Sequence, residues 1–187
     1  MPAKRESPAP LPIERRVVVL TTGGTIEKTY DEYTGQLANH RSIVRRKLDR
    51  LRLSATDVAV RELMSKDSLE LTEDDRLAIL HAVRDTLEQS PPPTGVVVLH
   101  GTDTLAETGR LLHREIPVQS VPIVLTGAMR PFAMTRSDGV QNLTEALFAT
   151  GVLSPGVWCV FHGRALAFPD VAKDRSRGTF VVSTGEG

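Results

Sequence analysis

The sequence predicts an α/β domain: a doubly wound, mostly parallel sheet with helices on both faces, of the flavodoxin or Rossmann type. Three observations predict it. Short apolar runs alternate with amphipathic helical patterns in the order β-α-β-α-β-α-β, which calls for a parallel sheet with crossover helices. Runs such as VVVL at 96–99 are apolar throughout, as strands covered on both faces are. At 187 residues the chain is long enough for one domain with a full core.

The elements follow in order. Residues 1–14 are rich in Pro and Ala and read as a mobile tail, leaving 15–187 as a single domain. Residues 17–21 form the first strand, and DVAVREL at 57–63 alternates as a second. Residues 73–88 have helical spacing, with Leu77, Ala78, Leu80, Val83 and Leu87 on one face. Thr72 is its N-cap, with acids in the first turn, and Ser90-Pro91-Pro92-Pro93 stops it. Residues 96–99 are a strand and 104–116 a helix. Residues 122–125 are a strand, followed by a helix over 138–150 with Val140, Leu143, Ala146 and Leu147 inward and Ser137 or Asp138 as its cap. Residues 156–161 close the series, and TFVV near the end is one more strand.

Composition excludes several classes. The chain carries 23 basic and 23 acidic side chains, so nucleic acid or an anionic membrane is not its expected main partner. The basic run Arg45-Arg46-Lys47, with Arg50 and Arg52, reads as a solvated helix face. One cysteine, Cys159, builds no disulfide framework and sits in an apolar run as a core residue. The first residues contain no apolar h-region, and no run of about 18 apolar residues exists, so a cytoplasmic protein is expected. The histidines His40, His81, His100, His113 and His162 show no metal-ligand spacing, and no G-x-S-x-G elbow is present. No metal or cofactor is expected.

Ligands of open parallel sheets bind beyond the carboxyl ends of the strands. The residues to read are therefore Thr21–Thr25, Ser65–Ser68, His100–Thr104, Thr126–Arg130 and His162–Arg164. TTGGT leaves a buried strand through two glycines, which make a tight turn inexpensive. Such a loop can cradle phosphate, present a nucleophile or simply turn. The Lys-Ser/Thr of a phosphate loop is absent, and a polar stretch follows in place of a helix, so nucleotide binding is poorly supported. HGTDT lies between a strand and a helix. Thr102 or Asp103 there can be a plain N-cap, and a lysine such as Lys173 is most often solvated. What favours chemistry is coincidence: Thr25, Asp67 with Ser68, and Thr102 with Asp103 all fall at one edge of the sheet. His100, at a strand end, is read as orienting its loop.

TTGGTI, HGTDT, LTGAMRP and SDGVQNL, with DVAK near the end, together resemble the bacterial-type L-asparaginases, threonine amidohydrolases that act on asparagine and sometimes glutamine. The matches keep their order over roughly residues 17–180. The resemblance implies the fold of that family's N-terminal domain and a set of roles. Thr25 is the implied nucleophile. Thr102 and Asp103 are the Thr-Asp pair, and Lys173 is the family's lysine. Asp67 and Ser68 would hold the α-amino and α-carboxylate groups of the substrate. A loop tyrosine is implied too, Tyr30 or alternatively Tyr33. Backbone N–H groups of the glycine turns, Gly24 and Gly101, would bind the substrate and its developing oxyanion. Lys173 would act as base if burial lowers its pKa.

The implied reaction converts L-asparagine and water to L-aspartate and ammonia. Alternatives are a glutaminase or other small-amide hydrolase, or an amino-acid-binding module without catalysis. The chain resembles only the N-terminal domain of longer members, as short-chain asparaginases do. The expectation is thus an absent C-terminal domain, a less enclosed substrate and a homodimer or homotetramer.

Overall fold

The computed structural model describes residues 14–117 and 119–183. Apart from Glu14, the tail expected over residues 1–14 lies outside the described residues.

Ten strands and four helices are described: β1 (Arg15–Gly23), β2 (Thr29–Asp31), β3 (Gln36–Ala38), α1 (Val44–Leu48), β4 (Thr56–Lys66), α2 (Glu73–Leu87), β5 (Gly95–Leu99), α3 (Leu105–Glu115), β6 (Pro122–Thr126), α4 (Gly139–Ala149), β7 (Gly156–Phe161), β8 (Arg164–Ala167), β9 (Val171–Asp174) and β10 (Thr179–Val182). The main sheet has six strands in the order β4-β1-β5-β6-β7-β8. All its pairings are parallel except β7 with β8. Counted along the chain, the parallel strands run 2-1-3-4-5, so the direction of growth reverses between β1 and β5. That reversal opens the crevice in which doubly wound sheets bind ligands.

β1 shows why its run is apolar throughout. Val18 and Leu20 point into the core shared with Ile79, Val83, Leu105 and Leu112 of α2 and α3. Val17 and Val19 point into the core shared with Val44, Leu143 and Leu147 of α1 and α4. Successive side chains of a strand face opposite sides, so a strand covered twice has no polar position. Cys159 belongs to the α2/α3 core, and burial pushes its thiol pKa up.

Local signals behave as their chemistry dictates. Thr72 accepts from Asp75 N and the Asp75 carboxylate accepts from Thr72 N, a complete capping box. The apolar faces of two helices differ from expectation. α2 buries Ile79, Leu80, Ala82, Val83 and Thr86, while Leu77 and Ala78 are exposed. α4 buries Leu143, Ala146 and Leu147, but Val140 is 41% exposed. Both helices carry apolar residues on more than one face, and contact with the sheet selects among them. The basic run forms α1. Its Lys47 is half-buried over the Phe132 ring, 5.4 Å from the centroid, and burial lowers its pKa.

The connections at the carboxyl edge are tied together through backbone. Gly24 N donates to Lys66 O at 2.8 Å, and His100 N to Thr126 O at 2.8 Å. Gly24 has φ of 74°, and a Cβ there would lie under 3.0 Å from the Gly101 backbone. A Cβ on Gly101 would in turn strike Ser68, and one on Gly127 would strike the His100 carbonyl. The loops after β1, β4, β5 and β6 therefore meet at glycines.

Two titratable side chains are buried within these loops. Glu27 is 2% exposed. It accepts from Gly23 N at 3.1 Å and from the Ser42 hydroxyl. Burial raises its pKa to about 7, against the opposing pull of Ser42 and Gly23 and helped by the Glu62 carboxylate. His100 is fully buried. Its Nδ1 lies 2.8 Å from Gly101 O and its Nε2 2.9 Å from Thr108 Oγ1. A carbonyl only accepts, so Nδ1 carries the proton and Nε2 accepts from the threonine. Burial lowers the His100 pKa to about 4.

These contacts lead to two expected outcomes. Gly24→Ala combines a positive φ with a backbone clash and should cost about 2–4 kcal/mol in urea denaturation. A wild-type midpoint would show that the loops separate freely. The second concerns pH. Glu27 favours its protonated form on folding, so its contribution is complete below pH 4.5 and is lost as pH rises towards about 7. His100 favours its neutral form, so its contribution is complete above pH 6.5 and is lost as pH falls towards about 4. Between these limits the two gradients oppose each other. Wild-type stability should be nearly level from pH 4.5 to 6.5, whereas Glu27→Gln should gain about 2 kcal/mol across the same range. Parallel profiles for the two proteins would contradict this.

Candidate active site

The site is built at the reversal between β1 and β5. β1 ends in Gly23, and Thr25 opens a one-turn 3-10 helix, Thr25–Glu27. Thr25 is half-buried, and its carbonyl accepts from Lys28 N at 3.2 Å. Below the turn, Thr22 Oγ1 donates to Leu99 O at 3.0 Å, joining the end of β1 to the end of β5.

β5 delivers the HGTDT segment. His100 is locked as described, and Thr102 is 3% exposed. Thr104 occupies the N-cap position of α3 without a side-chain cap bond; its hydroxyl donates instead to Ser68 O at 2.9 Å. The capping role considered for Thr102 or Asp103 is thus not what either side chain does. Lys173 Nζ donates to Thr102 Oγ1 at 2.7 Å and to Asp103 Oδ1 at 3.0 Å. Lys173 is 15% exposed in its side chain, and so is not the solvated lysine that its loop suggests. Arg175 Nη1 reaches the same Asp103 oxygen at 2.8 Å.

A hairpin brings Lys173 there. β9 pairs antiparallel with β10, with Lys173 opposite Phe180 and therefore on the same face. Val171, two residues before Lys173, shares that face and is fully buried. Phe180 packs edge-on against Phe161 of β7, their centroids 5.0 Å apart. Arg110 of α3 donates to Val171 O at 3.0 Å. Apolar burial and arginine bonds to the carbonyls of Val171 and Phe180 thus anchor the hairpin while its lysine turns inward.

Asp67 and Ser68 follow β4. Asp67 Oδ1 accepts from Leu69 N at 3.1 Å, capping the short turn Ser68–Glu70. Its Oδ2 meets Lys28 Nζ at 2.5 Å. The Lys28 hydrogen bond is the main reason the Asp67 pKa lies below the usual range, burial opposing it and Lys173 adding a weaker pull. Ser68 is 2% exposed and packs on Gly101.

Thr102, Asp103 and Lys173 are therefore hydrogen-bonded to one another. Thr25 is brought beside them by the Gly24–Gly101 contact, and Asp67 by the Ser68–Gly101 contact. Tyr30, on β2, is 65% exposed, and Tyr33 is 92% exposed. Neither joins the cluster.

Several members of the site are silent in the sequence. Lys28 and Arg175 give no signal there, being charged residues in polar loops. Asp138 holds the N-cap position of α4, as one of the two expected caps, but its carboxylate makes no cap bond and is used elsewhere. Ser137 Oγ accepts from Gly139 N instead, at 3.0 Å. The Asp138 carboxylate accepts from Met129 N and Arg130 N at 2.9 Å each and from His162 Nε2 at 2.9 Å. Asn142 donates to Gly127 O at 2.9 Å and accepts from His162 N at 3.2 Å. This network holds the loop after β6 against the end of β7. Backbone and His162 donors lower the Asp138 pKa although burial, the largest single influence, raises it.

Among the described residues no helix is long and apolar enough to cross a membrane. The family model for the asparaginase N-terminal domain matches residues 16–184. An L-asparaginase of Thermococcus kodakarensis is 30% identical over 163 residues, 87% of this chain and 49% of that protein. One component of a glutamyl-tRNA(Gln) amidotransferase of Thermoplasma acidophilum is 34% identical over 158 residues, 79% of this chain and 37% of that protein. The solved thermostable L-asparaginase of Thermococcus kodakarensis superimposes with a TM-score of 0.78 at 29% identity, over 89% of this chain and 51% of that one. The chain thus spans about half or less of the length of these relatives. With that match running from β1 to the end of the Lys173 hairpin, and with the same mostly parallel sheet beneath it, the chain belongs to the asparaginase family.

Proposed function

We propose that this domain hydrolyses the side-chain amide of L-asparagine to L-aspartate and ammonia, with Thr25 as nucleophile. The observation that carries the reading is the Lys173 ammonium hydrogen-bonded to both Thr102 and Asp103 at the sheet reversal, beside the turn that presents Thr25. Amide hydrolysis needs a nucleophile, a group that accepts and returns its proton, and donors for the oxyanion. This edge supplies candidates for each.

In the proposed path Thr25 Oγ attacks the carboxamide carbon. Its proton passes towards the Thr102–Lys173 pair, which later returns it to the leaving nitrogen. The Gly101 N–H is the backbone donor proposed for the developing oxyanion; the Gly24 N–H expected to share that role is instead given to Lys66 O at 2.8 Å. The C–N bond breaks, ammonia leaves with the returned proton, and a threonine ester remains. Water then attacks that ester, releasing aspartate and restoring the Thr25 hydroxyl. Asp67 takes the substrate ammonium, and Ser68, buried against Gly101, holds the loop beside it. Tyr30, exposed on β2, is free to cover the bound substrate. A cytoplasmic homo-oligomer is part of the same proposal. The exposed Phe148 and Val152, at 65% and 61%, offer apolar surface for a second copy.

Ammonia release by the purified chain, measured side by side with L-asparagine and L-glutamine, tests the reading. Release from asparagine should fall at least 1,000-fold in Thr25→Ala and in Lys173→Met, roughly the cost of losing a nucleophile or its activating group. Full activity in Thr25→Ala would remove Thr25 from its role. No release from either amide, with both amino acids still bound, would favour the binding module.

A further inference from the structure

We propose that Lys28 is a specificity residue: together with Asp67 it forms a paired-charge subsite that reads the zwitterionic head of an α-amino acid, Lys28 taking the carboxylate and Asp67 the ammonium. This rests on the amidohydrolase reading for its substrate, and it adds a residue to which neither the sequence motifs nor that reading gives a part.

The geometry supports it at several points. Lys28 Nζ and Asp67 Oδ2 are 2.5 Å apart, and both side chains keep about a quarter of their surface, 24% and 29%. The pair lines a cavity of about 280 Å³ together with Asn39, Ser65 and Glu70. The contact is not needed to hold the loops. Asp67 caps its turn through the other oxygen, Oδ1, bonded to Leu69 N. The segment carrying Lys28 is fixed by Gly24 N on Lys66 O and by Glu27 on Gly23 N. Oδ2 and the ammonium are therefore free to face a ligand.

The cavity also holds an acceptor without a donor: Asn39 Oδ1 is buried and has no hydrogen-bond partner. A buried acceptor left unmatched is costly, and an ammonium brings three N–H groups. Lys28 and Asp67 side by side form a dipole with no net charge. An α-amino acid head is a dipole of the same kind, and set antiparallel it places each charge against its opposite. A bare monoanion or monocation would meet one attraction and one repulsion at the same pair. The subsite should thus select ligands carrying both charges. Lys173 weakly lowers the Asp67 pKa from its own position, which puts the subsite within electrostatic reach of the Thr102–Asp103–Lys173 cluster.

The test uses the full chain as wild type, Lys28→Gln and Lys28→Arg, and three amides. These are L-asparagine, its α-methyl ester, which lacks the carboxylate charge, and succinamic acid, which lacks the ammonium. Wild type should prefer asparagine to both analogues. Lys28→Gln should raise KM for asparagine at least tenfold with kcat within about threefold, should leave KM for the ester unchanged, and should be largely rescued by arginine. An unchanged or lower KM for asparagine would overturn the proposal and make Lys28 a screen on Asp67. So would an equal rise for asparagine and the ester. If wild type releases no ammonia, the amidohydrolase reading fails separately. Calorimetric titration with L-asparagine and L-aspartate then decides the subsite: binding weakened tenfold or more in Lys28→Gln supports it, and equal or undetectable binding in both proteins overturns it.

Discussion

The approach of Gly24 to Gly101 is the constraint on which the site depends. Two loops from adjacent strands touch backbone to backbone, at a distance no side chain permits. Thr25 follows one glycine and Thr102 the other, so this contact sets how far apart the two threonines can lie. Gly101 meets Ser68 in the same way and draws in the loop that carries Asp67. Protein interiors are close-packed and transmit displacement rather than absorb it. A methyl group at either glycine would therefore displace Thr25 and Thr102 and not only the turn.

Close backbone contact leaves polar groups without backbone partners, and the fold satisfies them with side chains. His100 bridges Gly101 O and Thr108, Asn142 bridges Gly127 O and His162 N, and Asp138 gathers two backbone N–H groups with His162. Buried groups of this kind are costly when unmatched and add rigidity when matched. They explain why the carboxyl edge can be rich in hydroxyls, amides and imidazoles without coming apart. Glu27 belongs to the same system, and its burial ties the Thr25–Glu27 turn to Ser42.

Much of the fold is legible because burial on two faces leaves a direct mark on sequence. β1, β5, β6 and β7 appear as apolar runs, and α2 announces itself through Thr72 and the acids behind it. The orientation of α2 is less legible, since Leu77 looks as apolar as Ile79 and only the sheet decides which faces inward. β8 and the β2–β3 hairpin leave no clear pattern, being short and largely exposed. In the site, motif resemblance points to Thr25, Thr102, Asp103, Asp67 and Lys173, of which Thr102, Asp103 and Lys173 share hydrogen bonds. It also points to Tyr30, which the structure leaves exposed.

By itself, then, the sequence determined the class of fold, the strand ends at which chemistry collects and the residue types available there. These are local matters, set by hydrophobic period, by caps and by glycine turns. Only the tertiary structure decided which charges meet. Lys28 pairs with Asp67 across 39 residues, and Lys173 reaches Asp103 across 70. A lysine in a polar loop carries no local sign of its partner. Its energy comes from a distance in space that strand order and hairpin docking create, and no sequence period records it.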